Sequence, residues 1–245
     1  MRLIDTHCHI DLYDDPVQVV EEACAAGVTV VAVTNAPFVF DACQELTSRA
    51  PSVHAAVGLH PELVGEYGHQ VDDLVARIST TRFVGEVGID YRVTRPETHG
   101  RQRDIFRQVV RACASHPNVV MTVHSRGAEA NVVRILEERG DSTAILHWYS
   151  GAIKYMQHAQ ENGCYFSVNT AMLASQNGRK LLARMSRERV LSETDGPYIK
   201  INGQRARPLD TVEVVRGLAE IWGTTLDIAA GIVVDNWMRV IGSTS

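Results

Sequence analysis

Short runs of apolar, mostly β-branched residues recur along this chain, and most are followed by a longer stretch whose apolar positions return every three or four residues. The first pattern, over four to eight residues, marks buried strands, and the second marks amphipathic helices. Strands are predicted over 3–6, 28–34, 53–57, 83–85, 119–123, 144–146, 165–168 and 190–192. Helices are predicted over 16–26, 40–49, 71–78, 99–116, 128–139, 153–162 and 176–185, and two more, 210–222 and 226–241, follow the last strand. Pro16, Pro117 and Pro208 fall at helix edges, where a missing N–H costs little. Strands alternating with helices imply a parallel sheet, and eight such units in 245 residues match a (β/α)8 TIM barrel, an α/β fold of about 250 residues. No internal repeat, low-complexity stretch or linker interrupts the alternation, so one domain over residues 1–245 is expected.

Composition narrows the setting. The longest apolar run, near Val28–Val33, is far shorter than the ~20 residues of a membrane span. No apolar stretch follows Arg2 as a secretory signal would require. Five cysteines without a CxxC pair read as reduced thiols, and a cytoplasmic location is expected. The formal net charge of −5 gives no general attraction to nucleic acid, so any such contact must be local.

Candidate chemistry sits where the predicted strands end. The first strand runs into His7 and His9, which share one face because strand side chains alternate. His60 follows the third strand, Glu86 the fourth, His124 the fifth, His147 the sixth and Asp195 the eighth. In a barrel these ends form one mouth, where functional groups gather. By contrast, His54, His69, His99, His116 and His158 lie inside elements or in other loops and read as ordinary histidines. Four neutral imidazoles and two carboxylates exceed the needs of one divalent ion. Two ions share them well with Glu86 between, and the resulting positive centre suits a phosphodiester. Asp195 is placed to bind metal and to take the proton of attacking water. His60 is a candidate contact to phosphate or to the leaving oxygen, or an orienter of a ligand. Cys8 points away from both histidines and reads as a packed small residue.

The run LIDTHCHIDLY followed by GLHP, VGEVGIDY, VHSR, LHWYSG and SETDGPYI, in this order, resembles the TatD family of metal-dependent deoxyribonucleases along essentially the whole chain. The resemblance implies that His7, His9 and Asp195 hold one metal, His124 and His147 the other, and that Glu86 bridges them. It implies two divalent ions, Mg²⁺ or Mn²⁺ by family habit, although four imidazoles also suit Zn²⁺. It implies a DNA substrate, single-stranded or at a strand end. Trp148-Tyr149, Gly196 and the run Tyr165 to Leu173 are most similar to the QatD branch, found with bacterial anti-phage defence cassettes, whose other proteins would be partners. The loop after the ETD motif departs from the family pattern, which leaves polarity and strandedness open.

Further substrate contacts are read from the residues themselves. Arg126 could fork onto a phosphate oxygen, Trp148 and Tyr149 could stack on a base, and the Lys200, Arg205 and Arg207 loop, three cations without an acid, could meet a phosphate backbone. Two other readings stand beside the nuclease. One is an amidohydrolase-type enzyme acting on a carbonyl or amide substrate, which shares the HxH motif. The other is a metal-binding recognition subunit whose cleavage waits for partners.

Overall fold

The computed structural model describes residues 1–242. Eight parallel strands follow one another in chain order around a nearly closed barrel: β1 (Leu3–Cys8), β2 (Val28–Val33), β3 (Val53–Leu59), β4 (Phe83–Gly88), β5 (Val120–His124), β6 (Thr143–His147), β7 (Tyr165–Val168) and β8 (Val190–Ser192). Helices lie between them, which gives the (β/α)8 fold expected from the sequence. β2 is buried at every position, as a parallel strand covered on both faces must be.

Local chemistry sets where helices begin and end. Pro16 opens the Pro16–Ala25 helix, and the Asp15 side chain accepts the Gln18 N–H at 2.9 Å. Gly223 closes Thr211–Trp222 in a left-handed conformation, φ 62°. The last helix, Leu226–Gly242, returns along the barrel, and its Trp237 stacks on Phe83 with ring centroids 5.9 Å apart. Buried Asn236 donates to the carbonyls of Arg187 and Val190, tying that helix to the start of β8. No single helix among the described residues is long and apolar enough to cross a membrane.

The first and last strands meet largely through side chains. Thr6 Oγ1 donates to the Ser192 carbonyl at 3.1 Å, and Ser192 Oγ donates back to the Ile4 carbonyl. Asp5 accepts from the Thr194 N–H at 2.9 Å, the Thr194 hydroxyl and the His7 N–H. Burial raises the Asp5 carboxyl to about 7 against the lowering effect of these donors. At the mouth, the Asp195 N–H reaches the His7 carbonyl and the His9 N–H reaches that of Gly196.

The structure differs from the sequence reading mainly at element ends. β4 continues through Glu86 to Gly88, and the short helices Val64–Tyr67 and Thr170–Ala174 were not anticipated. Nor was a two-stranded hairpin formed by Lys200–Ile201 and Gln204–Arg205. At the centre of the mouth Gly58 lets two other strands touch across β3. The Glu86 N–H donates to the Thr34 carbonyl at 3.0 Å, and a Cβ on Gly58 would lie 2.1 Å from that oxygen and 2.4 Å from that nitrogen. Gly58→Ala therefore displaces Glu86. Overpacking of a tight interior costs about 1–3 kcal/mol, and calorimetry of the variant should show a lowered Tm.

Candidate metal centre

β1, β4, β5, β6 and the turn after β8 deliver His7, His9, Glu86, His124, His147 and Asp195 to the same end of the barrel. Glu86 is 2% exposed and stands among the imidazoles. Its two oxygens face different partners. Oε2 lies 3.4 Å from His7 Nε2 and 3.4 Å from His9 Nε2. Oε1 lies 2.7 Å from His124 Nδ1, 2.9 Å from His147 Nε2 and 3.4 Å from His60 Nε2. Asp195 completes the first side, with Oδ1 3.8 Å from His7 Nε2 and 3.7 Å from His9 Nε2. Residues far apart in sequence thus converge because parallel strands end together.

A second line of groups orients these side chains. His7 Nδ1 lies 2.7 Å from Thr122 Oγ1. His124 Nε2–H donates to Asp90 Oδ2 at 2.8 Å, and His147 Nδ1 stands 3.6 Å from Glu193 Oε1. Glu193 is itself fully held, accepting from the Trp148 N–H, Asn169 Nδ2 and the Ser167 hydroxyl. Metal-binding histidines characteristically donate their other nitrogen to such groups, which fixes ring and tautomer. The sequence offered a spacing signal for one of them, since Thr122 and His124 are two apart and share a strand face.

Charge explains what this cluster requires. Burial pushes Glu86 up, but the surrounding His60, His147 and His7 outweigh it and hold the carboxyl well below its ordinary range. Burial keeps His7 neutral, lowering it to about 3. Burial would also lower His147, yet Glu86 and Glu193 raise it well above the usual imidazole value. Asp195 is raised well above the carboxylate range, by burial first and then by Glu193 and Glu86 against an opposing His147. Acids repelling one another in a closed site call for a cation. The donor set fits one, since His7, His9 and Asp195 offer atoms within 4.8 Å of each other, as do His60, Glu86 and His124. Another sign is backbone strain at the rim. Asp195 and Trp148 take left-handed conformations, φ 49° and 38°, which non-glycine residues adopt at a cost of about 1–3 kcal/mol.

The mouth opens into a cavity of about 550 Å³ lined in part by His60, Arg126, Trp148, Asp195 and Tyr198. Tyr198 sets its ring edge-on to His9, and its hydroxyl accepts from Asn35 Nδ2. His60 also caps the following turn, its Nδ1 accepting the Glu62 N–H.

Comparison with known proteins places this constellation. The family described as TatD related DNase matches residues 4–242. The chain belongs to the TatD family. Within that family it is 28% identical to the metal-dependent hydrolase YcfH of Escherichia coli K12 over 259 residues, 98% of this chain and 96% of the relative. It is 25% identical to human deoxyribonuclease TATDN3, over 97% of this chain and 94% of that one. The fold is that of the TatD homologue YjjV of Escherichia coli K12, with a TM-score of 0.86 at 22% identity over 98% and 97% of the two chains. It is a metal-dependent hydrolase of the TatD family that acts on ester bonds.

Four candidate substrate contacts are placed otherwise than expected. Tyr149 is fully buried and its hydroxyl donates to the Ala152 carbonyl, so it has no face to offer a base. Arg205 pairs with Asp14 at 3.1 Å and Arg207 with Glu22. The acids absent from their own loop arrive from the segment after β1. Lys200 is exposed on the hairpin, and none of these three cations lines the cavity. Arg126 and Trp148 do line it. Cys8 packs with Ile10, Val19 and Ala23 as expected.

Asp90, left unassigned by sequence, accepts the backbone N–H groups of Arg92 and Val93 as well as His124. Burial raises its carboxyl, but these donors and the His124 charge bring it to about 2, so it stays ionised. Asp90→Asn should weaken metal binding roughly 10–100-fold by freeing the His124 ring. Competition with a metal-sensitive dye should detect the loss, and unchanged affinity would leave Asp90 without an orienting role.

Proposed function

We propose that residues 1–245 form a single TatD-type deoxyribonuclease domain that holds two divalent ions and removes nucleotides from DNA ends. The observation that carries this reading is the divided carboxylate of Glu86, one oxygen facing His7 and His9 and the other facing His124 and His147. His7, His9 and Asp195 would hold one ion, His124 and His147 the second, and Glu86 both. Bound there, a pair of divalent ions supplies Lewis acidity toward a phosphodiester and acidifies water. Mg²⁺ or Mn²⁺ is the proposed pair, with Zn²⁺ compatible with so many imidazoles.

The chain's own groups do the rest. Asp195, whose carboxylate gains proton affinity from burial and neighbouring acids, is placed in its ionised form to receive a proton from the attacking water. His60 faces the cavity and contacts the phosphate or the leaving oxygen. Arg126 forks onto a phosphate oxygen of the strand, and the ring of Trp148, 37% exposed, takes a base by stacking. Support for DNA as substrate comes from the family description and from the named activity of human TATDN3. The similarity of Trp148-Tyr149 and Gly196 to the QatD branch extends the proposal to a cytoplasmic role in anti-phage defence, with other proteins of the cassette as partners.

Glu86→Gln tests the bridge. The variant should keep a wild-type circular dichroism spectrum while its metal content falls from two ions per chain and cleavage of end-labelled DNA is lost. Two ions retained would sink the assignment. Binding should also depend on pH in a fixed direction. His147 is held protonated above its usual range, so its proton must leave before its lone pair can take a cation. Metal affinity should therefore strengthen as pH rises, and adding metal to weakly buffered protein should acidify it. A pH-independent affinity without proton release would contradict the role given to His147.

A further inference from the structure

Beside the metal cavity lies a second one of about 530 Å³, which shares Arg126 and Ser150 with it. Arg92 and Asn177 also line it. The two arginines stand on loops that are pinned together. Each lies two residues beyond a member of the Asp90–His124 hydrogen bond, and the Tyr91 N–H donates to the Arg126 carbonyl at 3.0 Å. The stem of Arg92 rests over Gly127, where a Cβ would come within 2.9 Å of its Cγ.

Six arginines of this acidic chain are paired with acids at the surface. Arg77, Arg107, Arg111, Arg205, Arg207 and Arg216 all meet carboxylates. Among the described residues the guanidinium groups of Arg92 and Arg126 have no hydrogen-bonding or carboxylate partner. One acid, Glu129, lines the same cavity, but its Oε1 is engaged by the Gly127 N–H at 3.0 Å. Two exposed guanidinium groups against one occupied carboxylate leave the cavity positive. No aromatic ring lines it, so it offers nothing for a base to stack on.

We infer that this second cavity is a subsite for a backbone phosphate, gripped by Arg92 and Arg126, next to the phosphate held at the metal centre. The inference rests on the nuclease reading and deepens it. Substrate would run from the metal centre past Trp148 and Ser150 to Arg92, with sugar and phosphate, rather than base, entering the second cavity. Guanidinium suits this because its planar donors match phosphate oxygens in pairs. It also means that the chain reads a strand of at least two phosphates, while a lone phosphodiester engages only the metal side.

The test compares two substrates and two variants. Wild-type protein, Arg92→Ala and Arg111→Ala are measured for binding of a fluorescent single-stranded oligonucleotide and, with Mn²⁺, for cleavage of that oligonucleotide and of bis(p-nitrophenyl) phosphate. Arg111 is the matched control, since it pairs with Glu138 and lines neither cavity. Arg92→Ala should weaken oligonucleotide binding by roughly tenfold, as loss of a charge-assisted contact does. It should also flatten the slope of log affinity against log salt by about 0.7. Its loss in kcat/KM should be several times larger on the oligonucleotide than on the small diester, and Arg111→Ala should match wild type. Equal losses on both substrates, or an unchanged salt slope, would overturn the subsite and leave the nuclease reading standing. A wild-type protein that hydrolyses the small diester but neither binds nor cuts the oligonucleotide would overturn both.

Discussion

A carboxylate buried as deeply as Glu86 cannot remain charged without compensation, because taking an isolated ion out of water is prohibitively expensive. Five imidazoles surround it here, and three of them, His7, His124 and His147, stand against further polar groups. Thr122 and Asp90 hydrogen-bond His7 and His124, and Glu193, 3.6 Å from His147, is itself fixed by Ser167, Asn169 and the Trp148 amide. The chain of dependence runs outward from one side chain to strands β5, β7 and β8 and to the loop after β6. Few of these positions could change without disturbing a neighbour. The barrel therefore does more than carry the site, since the polar network at its mouth fixes how strand ends approach one another.

Much of this was legible in the sequence, for a definite reason. Buried parallel strands must be continuous apolar runs, and a polar residue that closes such a run is thereby marked as sitting at the mouth. His7, His124, His147 and Asp195 were visible on that ground alone. Glu86 was legible as a site residue but not as a strand residue, because Gly85 and Gly88 weaken any strand signal around it. Their backbone is tolerated there because Thr34, just past β2, bonds directly to β4 across Gly58. What could not be read were the partners. Arg205 looked free because its acid, Asp14, lies 191 residues away in sequence. Tyr149 looked like a neighbour of Trp148 with a similar task, yet successive residues at a strand end point to opposite sides, and only Trp148 reached the cavity.

The two cavities also explain why bulk composition said so little about substrate. A net charge of −5 describes the whole surface, whereas the subsite proposed above turns on which cations are left unpaired and where. Six arginines are spent on surface ion pairs, each worth only a few tenths to about 1 kcal/mol. The unpaired pair, Arg92 and Arg126, is exposed at the rim of the second cavity, beside the candidate metal centre.

The latch between β1 and β8 has a consequence for how the molecule is made. Thr6, Asp5 and His7 find their partners in Ser192, Thr194 and Asp195, some 190 residues later in the chain. Chains emerge from the ribosome N-terminus first, so the strand bearing His7 and His9 is synthesised long before anything exists to close against it. Until the last strand emerges, a row of apolar and histidine side chains stands with one edge open, a template for pairing with other nascent chains. A cation held as proposed by His7, His9 and Asp195 would join the oldest and youngest parts of the barrel. On that proposal, metal supply during translation would bear on the yield of folded protein as well as on its activity.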